Sequence, residues 1–271
     1  MEIRIIEKSK PWRWIDIKEL LEYRELLLLL ILRDIKVKYA YTMVGVAWAV
    51  INPMFTLLIL TFVFGTVAKI QVPGVPHAIF TLSGLLAWNY ISTVMQEGGN
   101  SIVGAQNMIS KIYFPRIIIP LTKVLGGLID FIVTFVFLLI LLLFYGFIPS
   151  SNIVYFPIFT LLIILTGFSI AIWLSALTIR FRDFQYVTPF IVRVGMYLTP
   201  IAYPASLVPE KFKTIFSLNP LVGVIEGTRW CFIGGDFPLQ ELIFSVMTVL
   251  FLMFSGVLFF RNAERVIIDI L

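Results

Sequence analysis

Residues 156–179, FPIFTLLIILTGFSIAIWLSALTI, contain no charged side chain. A helix needs roughly 20 mostly apolar residues to cross a bilayer, and this stretch is long enough. Lipid is therefore the solvent against which the fold has to be judged. Five other segments meet the same test or come near it, at about residues 43–68, 77–95, 117–147, 187–203 and 242–260. The run 117–147 is as clear as 156–179, whereas 187–203 is short and contains Arg193. Composition agrees: 14% of the residues are charged and 59% are hydrophobic, where a soluble domain has about a quarter charged. The expected fold is an all-α membrane protein with six transmembrane helices.

Lysine and arginine set the orientation of such a chain. The first 42 residues hold Arg4, Lys8, Lys10, Arg13, Lys18, Arg24, Arg33, Lys36 and Lys38. The connection after span two holds Lys111 and Arg116, that after span four holds Arg180 and Arg182, and Arg261 and Arg265 follow span six. Of the short loops on the other side, one has only Lys69 and the other, about 146–155, has none. Both termini are thus expected in the cytoplasm, which suits an even number of spans. The first 25 residues are charged and amphipathic and lack the apolar core and small-residue cleavage site of a leader. Residues 26–32 are apolar but too short to span, and read as the buried stripe of an interfacial helix over about 17–41. The net charge of +5 calls for no nucleic acid, because basic residues beside spans meet anionic membrane lipid. The expected organisation is a cytoplasmic segment, 1–42, and a six-span domain, 43–271.

Residues 204–240 do not fit a plain extracytoplasmic loop. They are long for a connection and too apolar for a solvated one. Asn219-Pro220 interrupts them and Gly234-Gly235 ends them. Two short helices dipping back into the membrane and meeting at Asn219-Pro220 fit this pattern; a helix pair on the surface fits it too.

Chemistry is sparse. The single cysteine, Cys231, excludes an intramolecular disulfide and a Cys-based zinc site, and the single histidine, His77, excludes a His cluster. No phosphate-binding Gly-x-x-x-x-Gly-Lys-Ser/Thr stretch occurs, no Asp-x-Asp pair and no Gly-x-Ser-x-Gly elbow. No catalytic residue, metal or cofactor is expected in this chain. Any uphill movement must draw its energy from a partner or an ion gradient.

Polar residues inside spans are costly and therefore informative. Lys123 and Asp130 are seven apart and share a helix face; they can form a proton relay, or Lys123 can snorkel while Asp130 pairs within the bundle. Arg193 can line an aqueous path or bond a carbonyl. Glu97 reads as interfacial. Tyr41, Trp48, Phe55 and Phe62 recur every seven residues and form one stripe, with Asn52 beside it. Tyr186, Phe190, Arg193 and Tyr197 make a second stripe at steps of four, three and four. Such faces suit the C–H surface of sugars, and they equally suit packing or interfacial anchoring.

The stretch RDIKVKYAYTMVGVAWAVINP resembles the start of the first span in type-2 ABC exporter permeases, in particular the branch exporting O-antigen and related polysaccharides (Wzm-type). Arg33, Asp34, Lys36, Tyr39, Gly45, Trp48, Asn52 and Pro53 carry the likeness, as do Leu218, Asn219, Pro220, Glu226 and Arg229 in SLNPLVGVIEGTRW, and RFRDF at 180–184. The resemblance covers nearly the whole chain. It implies a homodimeric channel driven by two copies of a separate ABC ATPase, which would hold the ATP and Mg2+, and a lipid-linked polysaccharide as cargo in the bacterial inner membrane. Spans one and five would line the channel with Tyr41, Trp48, Asn52, Phe55, Phe62, Tyr186, Phe190, Arg193 and Tyr197. Asn219, Pro220, Glu226 and Arg229 would form an outer gate within 204–240. Arg33 and Asp34, with Ile102, Ala105, Ile109 and Ile112 on one face of a coupling helix at 98–113, would meet the ATPase. A permease for a small hydrophobic drug or for teichoic acid or capsule polymer shares these features. A membrane transferase would need paired carboxylates or a His facing a cavity, and a purely structural scaffold would bind no ATPase.

Overall fold

The computed structural model describes residues 17–40, 45–70 and 72–270. Among them the regular structure is helical throughout, apart from one bridge between Val72 and Val75. In chain order the helices are α1 (Ile17–Glu22), α2 (Arg24–Tyr39), α3 (Trp48–Leu60), α4 (His77–Gly99), α5 (Ser101–Gly104), α6 (Gln106–Ile109) and α7 (Ile118–Gly126). There follow α8 (Leu128–Phe144), α9 (Phe156–Arg180), α10 (Phe184–Leu198), α11 (Glu210–Ser217), α12 (Pro220–Ile233) and α13 (Leu239–Ile270). A π-helical stretch, Thr61–Val67, prolongs α3.

Five helical segments are long and apolar enough to cross a membrane: Trp48–Val67, His77–Gly99, Ile118–Phe144, Ser151–Arg180 and Leu239–Glu264. The middle one is α7 and α8 joined at Gly127. At the expected fifth crossing, 187–203, the structure has the shorter α10, Phe184–Leu198. Its 15 residues cover about 22 Å at 1.5 Å per residue, short of the ~30 Å hydrocarbon core. The sequence Thr199-Pro200 explains the stop. Proline disfavours helical geometry in the residue before it, and Thr199 is extended at φ −113°, ψ 141°.

Helix α4 is the centre of the bundle. In its apolar window 83% of the residues are buried, against 17–28% in the other four crossings, and it touches α3, α7, α8, α9, α10 and α12. Small residues let neighbours come close. A Cβ on Gly98 would lie 2.7 Å from the Ala171 Cβ, and one on Gly84 would lie 2.8 Å from an Arg229 nitrogen. The other crossings keep an apolar outer face, for example Ile132, Val136, Ile140 and Leu143 on α8, as helices bordering lipid do.

Two apolar clusters build the interior. The larger surrounds α4; the smaller joins Leu30 of α2 and Ile102 of α5 to Ile118 and Ile119 of α7, Ile172 and Ala176 of α9, and Val257 and Phe260 of α13. Three expectations change here. The interfacial helix at 17–41 is two helices with a turn at Tyr23. Its apolar run is not a single buried stripe: Leu30 is buried, while Leu28, Leu29 and Leu32 are exposed, so α2 shows apolar side chains both to the protein and away from it. The helix at 98–113 is instead the end of α4 and two one-turn helices parted at Ala105. Its supposed docking face turns inward: Ile102 is 3% exposed, Ala105 and Ile109 pack on the smaller cluster, and only Ile112 is exposed.

Helices α11 and α12 form the pair foreseen in 204–240, and Asn219-Pro220 separates them. Pro220 starts α12, where its missing N–H costs nothing. Residues Leu221 to Ile225 of α12 are buried. Gly223 and Gly227 explain how it fits: added Cβ atoms would stand 2.4 Å from the Glu241 carbonyl oxygen and 1.9 Å from the Phe159 ring. Gly227→Ala is expected to destabilise the fold by about 1–3 kcal/mol through overpacking. Gly104→Ala, whose Cβ meets nothing within 4 Å, is expected to cost nothing. Melting curves of both variants in detergent check the contrast.

Candidate functional site

Three arrangements bring together the residues singled out above. The first is the pair of aromatic stripes. Tyr41 lies outside the described residues. Trp48 is 47% exposed and Phe55 and Phe62 more so, with Asn52 exposed beside them. On α10, Tyr186, Phe190 and Tyr197 are 81%, 66% and 59% exposed, and Arg193 is exposed too. Both stripes therefore face away from the protomer's own core, so packing within the chain is not their role. Helices α3 and α10 each pack on α4, which holds the two stripes in fixed relation. The Pro53 ring interrupts the hydrogen bonding of α3 and Pro189 that of α10.

The second arrangement surrounds the non-helical segment after α10. Arg229 is 3% exposed. Its Nη1 donates to Glu226 Oε1 at 2.9 Å, its Nε to the Phe80 carbonyl at 3.3 Å and its Nη2 to the Ile201 carbonyl. Its guanidinium lies 3.7 Å from the centroid of the Phe80 ring, in cation–π range. Glu226 also accepts from the Ala205 N–H at 3.3 Å. His77 Nε2 is 3.2 Å from the Ala202 carbonyl and Nδ1 is 3.1 Å from the Thr81 hydroxyl. A carbonyl only accepts, so Nε2 carries the proton and the Thr81 hydroxyl donates to Nδ1. Asn219 Oδ1 accepts from the Leu221 N–H at 3.0 Å, capping α12, and its Nδ2 donates to the Thr199 hydroxyl at 3.3 Å. The start of α12 is thus capped by a side chain of the chain itself. Phe80, His77 and Thr199 had no signal in the sequence pattern, because their roles depend on where residues 199–205 turn.

The third arrangement ties α2 to the bundle. Asp34 Oδ2 accepts from Lys123 Nζ at 2.6 Å, and Asp34 Oδ1 accepts from Arg33 at 2.8 Å. Lys38 Nζ donates to Asp130 Oδ2 at 2.6 Å and to Glu97 Oε1 at 3.0 Å, and the Tyr39 hydroxyl donates to Asp130 Oδ1. Lys123 and Asp130 share a face as expected, but each pairs with α2. Sequence reading missed Lys38 and Glu97 as partners. Lys38 stands one helical turn after Asp34 and so shares its face of α2, as Lys123 and Asp130, seven apart, share theirs; two faces of opposite charge order were the available signal.

Charge on α2 is shifted accordingly. Burial raises the Asp34 carboxyl, but Lys123 and Arg33 lower it by more, and it ends below its ordinary 3.8. Burial lowers the Lys38 ammonium, but Glu97 and Asp130 raise it by more, and it ends above its ordinary 10.5. Asp34 therefore stabilises the folded chain above pH 3.8 and ceases to do so as pH falls through its folded-state pKa. Lys38 stabilises it below pH 10.5 and ceases to do so as pH rises through its own. Among the described residues no group of His, Cys, Asp and Glu could hold a metal.

A family profile described as "ABC-2 type transporter" matches residues 25–233, from the first turn of α2 to the end of α12. The chain is 29% identical over 248 residues to an "O-antigen export system permease protein RfbA" of Klebsiella pneumoniae, covering 91% of this chain and 95% of that protein. It is 27% identical over 235 residues to the protein of the same name from Myxococcus xanthus, covering 86% and 90%. Identity to the "Polysialic acid transport protein KpsM" of Escherichia coli is 22% over 238 residues, covering 87% and 92%.

Asp130→Asn is expected to loosen α2 by about 1–3 kcal/mol, since Lys38 and Tyr39 both lose an ionised partner. Protection of the α2 amides against hydrogen exchange, taken relative to the intrinsic rate at each pH, is expected to hold between about pH 5 and 9 in the parent chain and to fall once pH drops below the Asp34 range. Faster exchange in Asp130→Asn at neutral pH checks the same contacts.

Proposed function

The chain belongs to the ABC-2 type transporter family, and from that premise we propose that it is the membrane permease subunit of an ATP-driven exporter of lipid-linked polysaccharide, such as O-antigen. The names of its relatives support the cargo, and the absence of a phosphate-binding loop from the sequence supports a separate ATPase. The observation that carries the reading is the outward exposure of both aromatic stripes. Trp48, Phe55, Phe62, Tyr186, Phe190 and Tyr197 expose π surface at the edge of one protomer. Two copies related by a two-fold axis would enclose that surface as a channel wall. Sugars slide along it because each stacking contact is weak and none is specific.

In this reading α10 supplies the sixth crossing. Its helix covers about 22 Å of the apolar layer, and residues 199–203 turn back beyond its end, where the Ile201 N–H donates to the Thr199 carbonyl at 2.7 Å. Both termini then lie in the cytoplasm of a bacterial inner-membrane protein. The α11–α12 pair sits at the outer end, with Asn219, Pro220, Glu226 and Arg229 forming the gate. Two ATPase copies engage Arg33 and the outer surface of 98–113, where Ile112 is exposed; Ile102, Ala105, Ile109 and Asp34 support that surface from beneath. The likeness to KpsM favours one variant, a capsule polymer as cargo in place of O-antigen.

Trp48→Ala and Tyr197→Ala are each expected to cut polymer export about three- to tenfold, the worth of one aromatic contact, while the complex still assembles. Cysteines placed at 48 and 197 are expected to react with a water-soluble maleimide in the complex. Labelling by lipid-borne reagents only, with export unchanged, contradicts the channel wall. Glu226→Gln is expected to make the resting complex leak ions, because it weakens the hold of Arg229 on residues 201–205; conductance in planar bilayers measures this.

A further inference from the structure

Beside the ion pairs of α2 lies an open cavity of about 420 Å3, within the size range of small-molecule sites. Leu30, Arg33 and Asp34 form one wall, Glu97 and Asn100 a second, and Lys123 of α7 a third. Met108 and Ile119 add apolar surface to the lining. The charged lining is balanced: two cations, Arg33 and Lys123, face two carboxylates, Asp34 and Glu97. Hydrogen-bonding capacity remains on both signs. Arg33 uses Nε and Nη2 on Asp34, which leaves Nη1; Lys123 uses one of its three protons; Glu97 engages Lys38 through Oε1, which leaves Oε2.

An anionic ligand would meet repulsion from Glu97 and Asp34, and a simple cation repulsion from Arg33 and Lys123. A zwitterion with adjacent phosphate and ammonium groups matches both. The surroundings say that it comes from a membrane. Leu29, one turn before Arg33 on the same side of α2, is 64% exposed, and Leu32 is 54% exposed. They offer an acyl chain an exposed apolar surface within one turn of Arg33.

We propose that this cavity binds the headgroup of phosphatidylethanolamine from the leaflet on which α2 lies. The phosphate accepts from Arg33 and Lys123, the ammonium donates to Glu97, and the acyl chains run over Leu29 and Leu32. The lipid would thereby join α2 to α4 and α7 at the point where the ion pairs already meet. This inference is independent of the cargo.

Gly104 offers a way to close the cavity without touching a charge. It lines the cavity, and a Cβ there meets nothing within 4 Å, so Gly104→Leu starts its side chain in open space at the cavity wall. The experiment is native mass spectrometry of the purified full-length chain, titrated with equimolar phosphatidylethanolamine and phosphatidylglycerol of identical acyl chains. The parent chain is expected to retain phosphatidylethanolamine about tenfold better, the worth of one charge-assisted hydrogen bond. Gly104→Leu is expected to abolish the preference with an unchanged melting temperature, and Glu97→Gln to reduce it about fivefold or more. Equal retention of the two lipids, a preference for phosphatidylglycerol, or an undiminished preference in Gly104→Leu overturns the site. Displacement by equimolar soluble glycerophosphoethanolamine overturns the assignment to a lipid in favour of a free phosphate ester.

Discussion

A backbone group that leaves a helix among apolar side chains has no water to turn to, and its partner must come from the protein. Residues 199–205 pose that problem, and buried Arg229 answers it together with Glu226 and His77. One guanidinium serves the carbonyls of Phe80 and Ile201 and the carboxylate of Glu226, and that carboxylate in turn accepts from the Ala205 N–H. Because Glu226 and Arg229 belong to α12, the end of α10 can keep its non-helical path only while α12 is inserted beside α4. Insertion depends on Gly223 and Gly227, which leave room for α13 and the Phe159 ring. The polar clamp and the close packing therefore require each other. A buried charge of this kind is costly to form and costlier to break, since removing one partner leaves the others unsatisfied.

A second set of polar contacts works at the opposite end of α4. Glu97 lies near its last turn and His77 at its first, so the central helix is gripped by charge at one end and by the histidine at the other. Helix α2 has no membrane-crossing role by length, yet Leu30, Asp34 and Lys38 on consecutive turns, with Tyr39 beside the last, reach α4, α7 or α8. Any force on α2 passes to α4 through Lys38 and to α8 through Asp130. The same central helix carries α3 and α10 with their exposed aromatic stripes. A short mechanical route thus leads from the N-terminal helix to the surfaces proposed as channel wall.

Much of this was legible in the residues. The helical class and all five of the helices long enough to cross followed from apolar run length, and the aromatic stripes from a spacing of seven and of three to four. The Asn219-Pro220 break between two helices followed from local backbone chemistry. Errors arose where neighbours decide. The face of 98–113 has the right periodicity to dock on a partner, yet Ile102 is spent on the chain's own second cluster. The leucines at 26–32 are too many for one stripe, and the helix distributes them over two faces.

The sequence by itself determined which segments are too apolar for water, which of them must be helices, and where proline and glycine end them. These are properties of single residues and of neighbours within a turn or two. Only the tertiary structure decided which side of each helix is buried and which charge meets which. Lys38 meets Asp130 across 92 positions, Lys123 meets Asp34 across 89, and Arg229 meets the Phe80 carbonyl across 149. A residue's own type states that it needs a counter-charge or a hydrogen-bond partner in a low-dielectric interior. Which distant residue supplies it is fixed by how the helices pack, and that packing is set by small-residue contacts, such as Gly98 on Ala171, that carry no charge or motif of their own.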